Sequence, residues 1–276
     1  MAARPRRTPG RAAVTARWPR PLVGAVDAVN RRGKAVGVRL VRYTGKSRHF
    51  VHPKHLVESP WHDWYVDYLS PAAVVLDVGC ANGGHTVRAA RRAKRIVGID
   101  YDVAQLRIAA ASCRRQGLDN VKLFAWDLTR PFPFPDASFD AALFLDVIEH
   151  LDPRVAVLRE IRRVLKPDGR LLVSGPNRAT SWRQQLRGAG LFAFSDPDHR
   201  IEYTPEEFIS ELQAGGFEPM GPAMPVVYDT PWAGLIDAIG GVSLRLYARL
   251  HRWKREAALR HPEESTGFQV VARPAR

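Results

Sequence analysis

A glycine-rich turn between a short apolar segment and a helical pattern constrains this chain more than any other feature. Val74–Val78 is apolar except for Asp77 and has the length of a buried parallel strand. The segment 79–84, Gly-Cys-Ala-Asn-Gly-Gly, follows directly, and a helical pattern covers His85–Lys94. Small residues let a backbone turn sharply and approach a ligand closely. The order strand, turn, helix therefore predicts an α/β fold with a nucleotide-like ligand at the turn.

Carboxylates stand at or near the ends of four successive predicted strands. The three strands after the turn are predicted over residues 94–100, 121–125 and 139–145, and the four acids are Asp77, Asp100, Asp127 and Asp146. Any one acid could simply cap the next helix. Because parallel strands end at the same edge of a sheet, four acids beside a glycine turn favour a ligand site instead.

Together these segments resemble the class I S-adenosylmethionine-dependent methyltransferases, in particular the type 11 group that includes the quinone-biosynthesis enzymes. The matching segments are Leu76–Gly83, Gly98–Asp100, Asp127–Leu128, Phe139–Ala142, Asp146–Leu151 and Leu165–Leu171. Ala81 stands where the family usually has a second glycine, and we expect an ordinary backbone conformation there. The resemblance implies a Rossmann-like, seven-stranded, mostly parallel sheet with flanking helices, a basic N-terminal extension and a helical C-terminal cap.

The resemblance also implies S-adenosylmethionine as co-substrate. Asp77 is then expected near the methionine end, Asp100 at the ribose, and Asp127 with Leu128 at the adenine. The predicted cofactor contacts are Asp77, Gly79, Cys80, Ala81, Asn82, Gly83, Asp100, Tyr101, Asp127, Leu128, Leu145 and Asp146. A nicotinamide enzyme is rejected because the spacing Gly79-x-x-x-Gly83 does not fit its G-x-G-x-x-G pattern.

On the acceptor side we predict three catalytic candidates, His150, His199 and Tyr203, and no metal ligand. Methyl transfer chiefly needs alignment of the nucleophile, and a base is needed only where the acceptor loses a proton. His150 could equally cap the helix expected near Asp152. The predicted function is transfer of a methyl group to an oxygen of a small-molecule, sugar or lipid-linked acceptor.

Two alternatives stay open. Asp146, Glu149, His150 and His199 resemble the metal-binding set of the small-RNA terminal 2′-O-methyltransferases, which would make the chain a metal-dependent RNA enzyme. Against this, Asp146 replaces a glutamate, and the Glu-His-Leu sequence is common in methyltransferases without a metal. The other alternative is a membrane-surface or cofactor-binding protein without turnover, suggested by an apolar stripe with helical spacing from Trp232 to Trp253.

The positive charge is concentrated at the N-terminus. Residues 1–60 hold 14 of the 42 Lys and Arg but only two of the 28 acids. We predict a basic, partly disordered extension over 1–60 and the methyltransferase domain over 61–276, with acceptor-side cap elements in 177–265. The extension would suit an anionic surface, with nucleic acid a less favoured partner. With no apolar run of 18 residues and only two cysteines, we expect a cytoplasmic protein, peripheral to a membrane if its acceptor is a lipid.

Four smaller predictions complete the sequence analysis. His49, His52, His55 and His62 are closely spaced, but Pro53 breaks any helix that would align them, so a lid over the acceptor pocket is favoured over a metal site. Trp61–Leu69 is expected to be a helix. Thr204 and Glu207 form a predicted capping box, and Gly267–Arg273 is expected to be an antiparallel last strand.

Overall fold

The computed structural model describes residues 18–48, 50–57 and 61–276, and one eight-stranded sheet forms its centre. The strands are β1 Val74–Val78, β2 Arg95–Asp100, β3 Val121–Ala125, β4 Phe139–Leu145, β5 Leu165–Pro176, β6 Phe217–Pro219, β7 Met224–Pro225 and β8 Gly267–Pro274. Their order is β3-β2-β1-β4-β5-β8-β6, with β7 also paired to β8. The first five strands are mutually parallel, and β8 is antiparallel to its neighbours. The Rossmann-like, mostly parallel sheet is confirmed, with the two-residue β7 as an eighth strand.

Helices cover both faces of the sheet. They are α1 Arg20–Tyr43, α2 Gly84–Ala90, α3 Val103–Arg115, α4 Arg154–Val164, α5 Ser181–Gly188, α6 Pro205–Ala214, α7 Ala233–Val242 and α8 Leu244–Arg260. Side chains of β4 alternate between two cores, as the period of a strand requires. Phe144 packs with α4 and α6 on one face, whereas Leu143 packs with α2 and Trp64 on the other. Burial on both faces explains the apolar run over Ala141–Leu145 of β4.

Local sequence signals located most elements well. The predicted strands at β1, β3 and β4 are confirmed residue for residue, and the last strand runs antiparallel to β5. The capping box before α6 is also confirmed: Thr204 Oγ1 accepts from the Glu207 amide at 3.2 Å, and Glu207 Oε2 accepts from the Thr204 amide at 2.9 Å.

One expectation for the flanking segments needs correction. Trp61–Leu69 is not an α-helix but a turn followed by a short 3-10 helix over Trp64–Tyr68. The basic extension is partly folded, because α1 packs along α7 and its Val23 and Val26 join a small core with Trp182 and Leu186 of α5. The domain boundary at residue 60 stays a prediction. Residues 1–17, which hold most of the predicted disordered tail, lie outside the described residues, as do His49 and residues 58–60.

Within the described ranges, every helix is too short or too polar to cross a lipid bilayer.

Candidate active site at the carboxyl edge of the sheet

In the turn after β1, every second residue has a left-handed backbone conformation. The φ angles of Gly79, Ala81 and Gly83 are 74°, 42° and 78°. A Cβ on Gly79 would lie 2.6 Å from a methyl carbon of Val147, and one on Gly83 would lie 2.7 Å from Cβ of Ala109. The turn therefore needs glycine at both positions for backbone conformation and for space. It also packs directly against the residue that follows Asp146 after β4.

Ala81 corrects one expectation. Its backbone is left-handed rather than ordinary, a conformation that costs a residue with a side chain about 1–2 kcal/mol. The Ala81 amide donates to Oδ2 of Asp100 at 2.9 Å, which helps hold the strained peptide.

Asp100 joins the turn to the end of β2. Its carboxylate is buried, with Oδ2 accepting from Ala81 and Oδ1 accepting from the Asp102 amide at 2.8 Å. Each oxygen keeps a lone pair for a further donor, so the predicted contact with ribose hydroxyls stays a prediction that this geometry allows. The next residue, Tyr101, is 78% exposed at the same edge.

Asp77 lies buried beneath the turn. Its Oδ2 accepts from the Thr86 hydroxyl at 2.6 Å. Burial raises the pKa of Asp77 to about 6; the Thr86 hydrogen bond opposes the rise and the charge of Asp100 adds to it. A carboxylate with this pKa ionises near neutrality, and a nearby cationic group would favour its charged form. That property suits the predicted position at the methionine end.

The remaining predicted cofactor residues differ in whether their side chains are exposed at the carboxyl edge of the sheet or buried beneath it. Asp127 is exposed, and its Oδ1 accepts from the amide and hydroxyl of Thr129, which together hold its pKa below the usual value. Asn82 is exposed and accepts from the Gly84 amide at 3.2 Å. Leu128 and Cys80 are buried, and the Cys80 sulfur packs against Gly98 of β2, so only the Cys80 backbone can meet a ligand.

The end of β4 supplies a fourth carboxylate. Leu145 is buried, whereas Asp146 is exposed in a left-handed conformation with φ 54°. The Asp146 amide donates to the Ser174 hydroxyl at 3.0 Å, and that hydroxyl donates back to Oδ1 at 2.7 Å. This reciprocal pair fixes the acid on the neighbouring strand β5.

His150 and His199 come together immediately beyond Asp146. His150 ends a short 3-10 helix over Ile148–His150, and the Arg200 amide donates to the carbonyl of Glu149 at 2.7 Å, which ties the later loop to this helix. The two imidazoles make an edge-on contact with centroids 4.8 Å apart. Glu149, His150 and His199 are the one group of three or more metal-capable side chains among the described residues, with ligand atoms within 4.8 Å of one another.

The carboxylates around His199 have opposite electrostatic characters. Burial, and then the charge of Asp146, raises the pKa of Glu149 well above its usual value. Burial opposes ionisation of Glu202 as well, but hydrogen bonds from His199 and Ser195 outweigh it and lower the pKa of Glu202. His199 Nδ1 lies 2.9 Å from Oε1 of Glu202, so the imidazole is anchored to the ionised acid.

Two interpretations of these residues change. Tyr203 does not overhang the site: its side chain is fully buried in the core against Phe208, its hydroxyl has no partner, and burial raises its pKa. The prediction of an acceptor-side role is wrong for Tyr203. His150 does not cap α4 either, because that helix begins at Arg154 after Pro153 and has no side-chain cap.

Two residues of the site were missed. His85 Nδ1 lies 3.0 Å from the hydroxyl of Tyr65, which donates to the His85 carbonyl at 3.3 Å. Burial lowers the pKa of His85 to about 4, and the nearby charge of Asp146 opposes this shift. The sequence position of His85, directly after the glycine turn, could have predicted its place beside the turn. Tyr65 lies 20 residues earlier in the chain, and no nearby motif predicts its contact with the turn.

Comparison with known proteins agrees with this geometry. Residues 76–173 match a family model described as a methyltransferase domain. The chain is 28% identical over 207 residues to 27-O-demethylrifamycin SV methyltransferase of Amycolatopsis mediterranei, covering 71% of this chain and 68% of that protein. It is 40% identical over 119 residues to demethylmenaquinone methyltransferase of Tropheryma whipplei, covering 41% and 48%. Residues 76–173 therefore form a methyltransferase domain of the class I S-adenosylmethionine-dependent type.

The solved structure of the [4+2]-cyclase SpnF has the same methyltransferase fold. It superposes with a TM-score of 0.55 at 25% identity, covering 77% of this chain and 81% of that one. The chain spans 48% and 68% of the lengths of the two methyltransferases named above. The chain is also 34% identical over 144 residues to a probable S-adenosylmethionine-dependent methyltransferase of Mycolicibacterium smegmatis, covering 52% of this chain and 51% of that protein. This similarity supports S-adenosylmethionine as the co-substrate of the methyltransferase domain.

Proposed function

We propose that the chain transfers the methyl group of S-adenosylmethionine to an oxygen of a small-molecule, sugar or lipid-linked acceptor. One observation carries the proposal: the loop bearing Glu149 and His150 is packed onto the left-handed turn through Val147 and Gly79. The titratable side chains of Glu149 and His150 are therefore held beside the glycine turn, where the family binds the cofactor. This is the arrangement that aligned transfer from a bound donor requires.

The proposed reaction is an in-line displacement at carbon. A lone pair of the acceptor oxygen attacks the methyl carbon, the carbon–sulfur bond breaks, and its electron pair neutralises the sulfonium to a thioether. The acceptor hydroxyl loses its proton to a base. His150 is the candidate base: its Nδ1 lies 3.3 Å from the carbonyl oxygen of Asp198, which can only accept, so the lone pair is on Nε2.

The relatives support a small acceptor. The names of two of them specify methylation of demethylrifamycin and of demethylmenaquinone. The fold alone does not decide the reaction, because SpnF has it and is named a cyclase. Cofactor binding and methyl transfer therefore need separate tests.

Cofactor binding is tested by calorimetry with S-adenosylhomocysteine. Gly83→Ala should weaken binding at least tenfold, because the new Cβ collides with Ala109 and moves the turn. Gly117→Ala is the matched control, since Gly117 is also left-handed, with φ 64°, but has open space around it. Both variants carry similar backbone strain, so equal losses of affinity would contradict the proposed cofactor site.

Transfer is tested with S-adenosylmethionine carrying a ¹³C-labelled methyl group. The full chain is incubated with a small-molecule extract, and NMR of the product identifies the atom that received the label. A methyl resonance typical of an ether or ester supports the proposal. Transfer to nitrogen or carbon would overturn the choice of oxygen, and binding without any transfer would favour a non-catalytic protein.

A second proposal concerns where the acceptor is met: the cap formed by α1, α7 and α8 contacts an anionic lipid surface. Leu22, Val29, Val36 and Tyr43 recur every seven residues of α1 and are 48%, 50%, 42% and 76% exposed. A seven-residue interval returns to the same side of a helix within about 20°. Helices α1 and α8 each carry six Lys or Arg and one acid. An exposed apolar stripe on a basic helix is typical of membrane-surface binding.

Vesicle flotation tests the lipid contact. The full chain should float with vesicles that contain phosphatidylglycerol and not with pure phosphatidylcholine. Val29→Ser with Val36→Ser should abolish flotation, whereas Val103→Ser with Ile108→Ser should not, since the latter side chains on α3 are equally exposed, at 48% and 52%. Equal behaviour of the two double variants would refute the proposal.

A further inference from the structure

A buried carboxylate faces an imidazole next to the turn without a hydrogen bond between them. Glu149 is 2% exposed, and its Oε2 has no hydrogen-bond partner. Its Oε1 lies 3.8 Å from Nε2 of His199, which is too long for a hydrogen bond. Unpaired buried polar atoms are costly and uncommon, so this gap between two ligand-type atoms calls for an explanation.

The partners of both imidazoles determine where their lone pairs are. His199 Nδ1 lies 2.9 Å from Oε1 of Glu202, an oxygen that also accepts from the amide and the hydroxyl of Ser195. His150 Nδ1 lies 3.3 Å from the carbonyl oxygen of Asp198. Both partners only accept, so both Nδ1 atoms carry the proton and both Nε2 atoms carry lone pairs. Histidines that bind metals have the same arrangement, with the second nitrogen bonded to a carboxylate or carbonyl.

We propose that Glu149, His150 and His199 bind a divalent transition-metal ion. Bonds of about 2.0–2.2 Å to nitrogen and oxygen place the ligand atoms of a tetrahedral site about 3.4 Å apart. The observed ligand atoms lie within 4.8 Å of one another, so modest side-chain rotations close the set. Two imidazoles and one carboxylate suit Zn²⁺, Co²⁺ or Fe²⁺ better than Mg²⁺ or Ca²⁺. Asp146 is not a member of this group; its Oδ1 accepts a hydrogen bond from the Ser174 hydroxyl.

The site leaves coordination positions for an outside ligand. Three protein ligands leave at least one open position, and His150 is exposed, so an outside ligand can reach the site. We infer that an acceptor hydroxyl, or two neighbouring acceptor oxygens, complete the coordination. This role rests on the proposed methyl transfer. With the ion bound, His150 is a metal ligand, and the acceptor hydroxyl, made more acidic by the ion, loses its proton to water. Binding of the ion itself does not depend on this role.

The test uses full-length protein without a polyhistidine tag, stripped with chelator and titrated with Co²⁺. Calorimetry measures stoichiometry and affinity, and visible absorption reports the ligand field of bound Co²⁺. We expect one ion per chain with d–d absorption. Glu202→Gln should weaken binding about 10–100-fold, the range for residues that orient a ligand, and Glu149→Gln should weaken it further. His261→Asn is the control, because His261 is exposed and pairs only with Glu263, at 3.6 Å.

The outcomes separate this inference from the proposed function. Thermal unfolding and calorimetry with S-adenosylhomocysteine establish that each variant is folded and keeps its cofactor site. Loss of Co²⁺ binding in Glu149→Gln with cofactor binding retained supports the metal site, whether or not an acceptor is known. Absence of Co²⁺ binding in the wild type, or the same affinity and spectrum in Glu149→Gln, would overturn it.

Discussion

Glycine serves different purposes in the two regions of this molecule. The first region is the carboxyl edge of the sheet, where the cofactor site is predicted, called here the cofactor edge. Its Gly79 and Gly83 have left-handed backbones that other residues rarely adopt. In the helical cap, Gly37 of α1 has ordinary helical geometry, but a Cβ there would lie 2.4 Å from the carbonyl oxygen of Asp237 in α7. A Cβ on Gly234 would lie 1.8 Å from the carbonyl oxygen of Asn30. The first region uses conformational freedom, and the second uses the missing volume to bring two helix backbones together.

The regions also treat charge differently. At the cofactor edge, the buried carboxylates of Asp77 and Asp100 accept hydrogen bonds from the turn and its following helix. In the cap, α1 and α8 are basic, and most of their charged groups are exposed. These differences support the ligand site proposed at the edge and the surface contact proposed for the cap. Perturbing one region should therefore leave the function of the other intact.

The largest expected effect is the pH dependence of stability that Asp77 contributes. Its pKa is about 6 in the folded chain and about 3.9 in the unfolded chain, so the folded state holds the proton over a wider range. The contribution of Asp77 is fully favourable below pH 4 and is lost as the pH rises through 6. The free energy of unfolding of the wild type relative to Asp77→Asn should therefore fall by about 3 kcal/mol between pH 3 and pH 7.

Chemical denaturation of both proteins at several pH values measures this difference. If Asp77 lies near the methionine end of the cofactor, as predicted, its ionised form attracts the positively charged ammonium group there. Affinity for S-adenosylhomocysteine should then rise about tenfold from pH 5 to pH 7 in the wild type only. A stability difference that does not vary with pH would show that Asp77 has an ordinary pKa. The proposed electrostatic difference between the edge and the cap would then be wrong.

The next effect separates the two uses of glycine. Gly37→Ala should lower the free energy of unfolding by about 2 kcal/mol, because the methyl group forces α1 away from α7. Gly24→Ala in the same helix should raise it by about 0.5–1 kcal/mol, since nothing lies within 4 Å and alanine favours a helix. Urea unfolding measures both. Affinity for S-adenosylhomocysteine should be unchanged in each, and a loss in Gly37→Ala would show that the cap and the edge are coupled.

The smallest effect tests the reassignment of Tyr203 to the core. Tyr203→Phe removes a buried hydroxyl that has no partner, so stability should change by less than about 1 kcal/mol, toward a more stable protein. Cofactor affinity and methyl transfer, once an acceptor is found, should match the wild type. If Tyr203→Phe lost methyl transfer but kept its affinity for the cofactor, Tyr203 would act on the acceptor side, and its assignment to the core alone would be wrong.

Much of the edge was predictable because its signals are local. The apolar runs of β1 and β4, the glycine turn and the capping box at Thr204 each lie within a few residues, and the structure has them where the sequence places them. The conformation of Ala81 was not predictable from residue type, because the hydrogen bond that its amide donates to Asp100 on the next strand holds it in a region that alanine avoids. The burial of Tyr203 was likewise hidden, since its motif is polar on both sides.

The sequence by itself determined the fold class, the family and the edge at which the cofactor site is predicted, because strand period, turn chemistry and motif order are properties of short segments. Only the tertiary structure decided that α1 belongs to the folded protein. The role of its glycines becomes visible only when the backbone of α7 is seen packed against them. The tertiary structure also decided that His199 meets Glu149 and His150 across some 50 residues of chain. That meeting depends on backbone hydrogen bonds between distant loops, which no local pattern encodes.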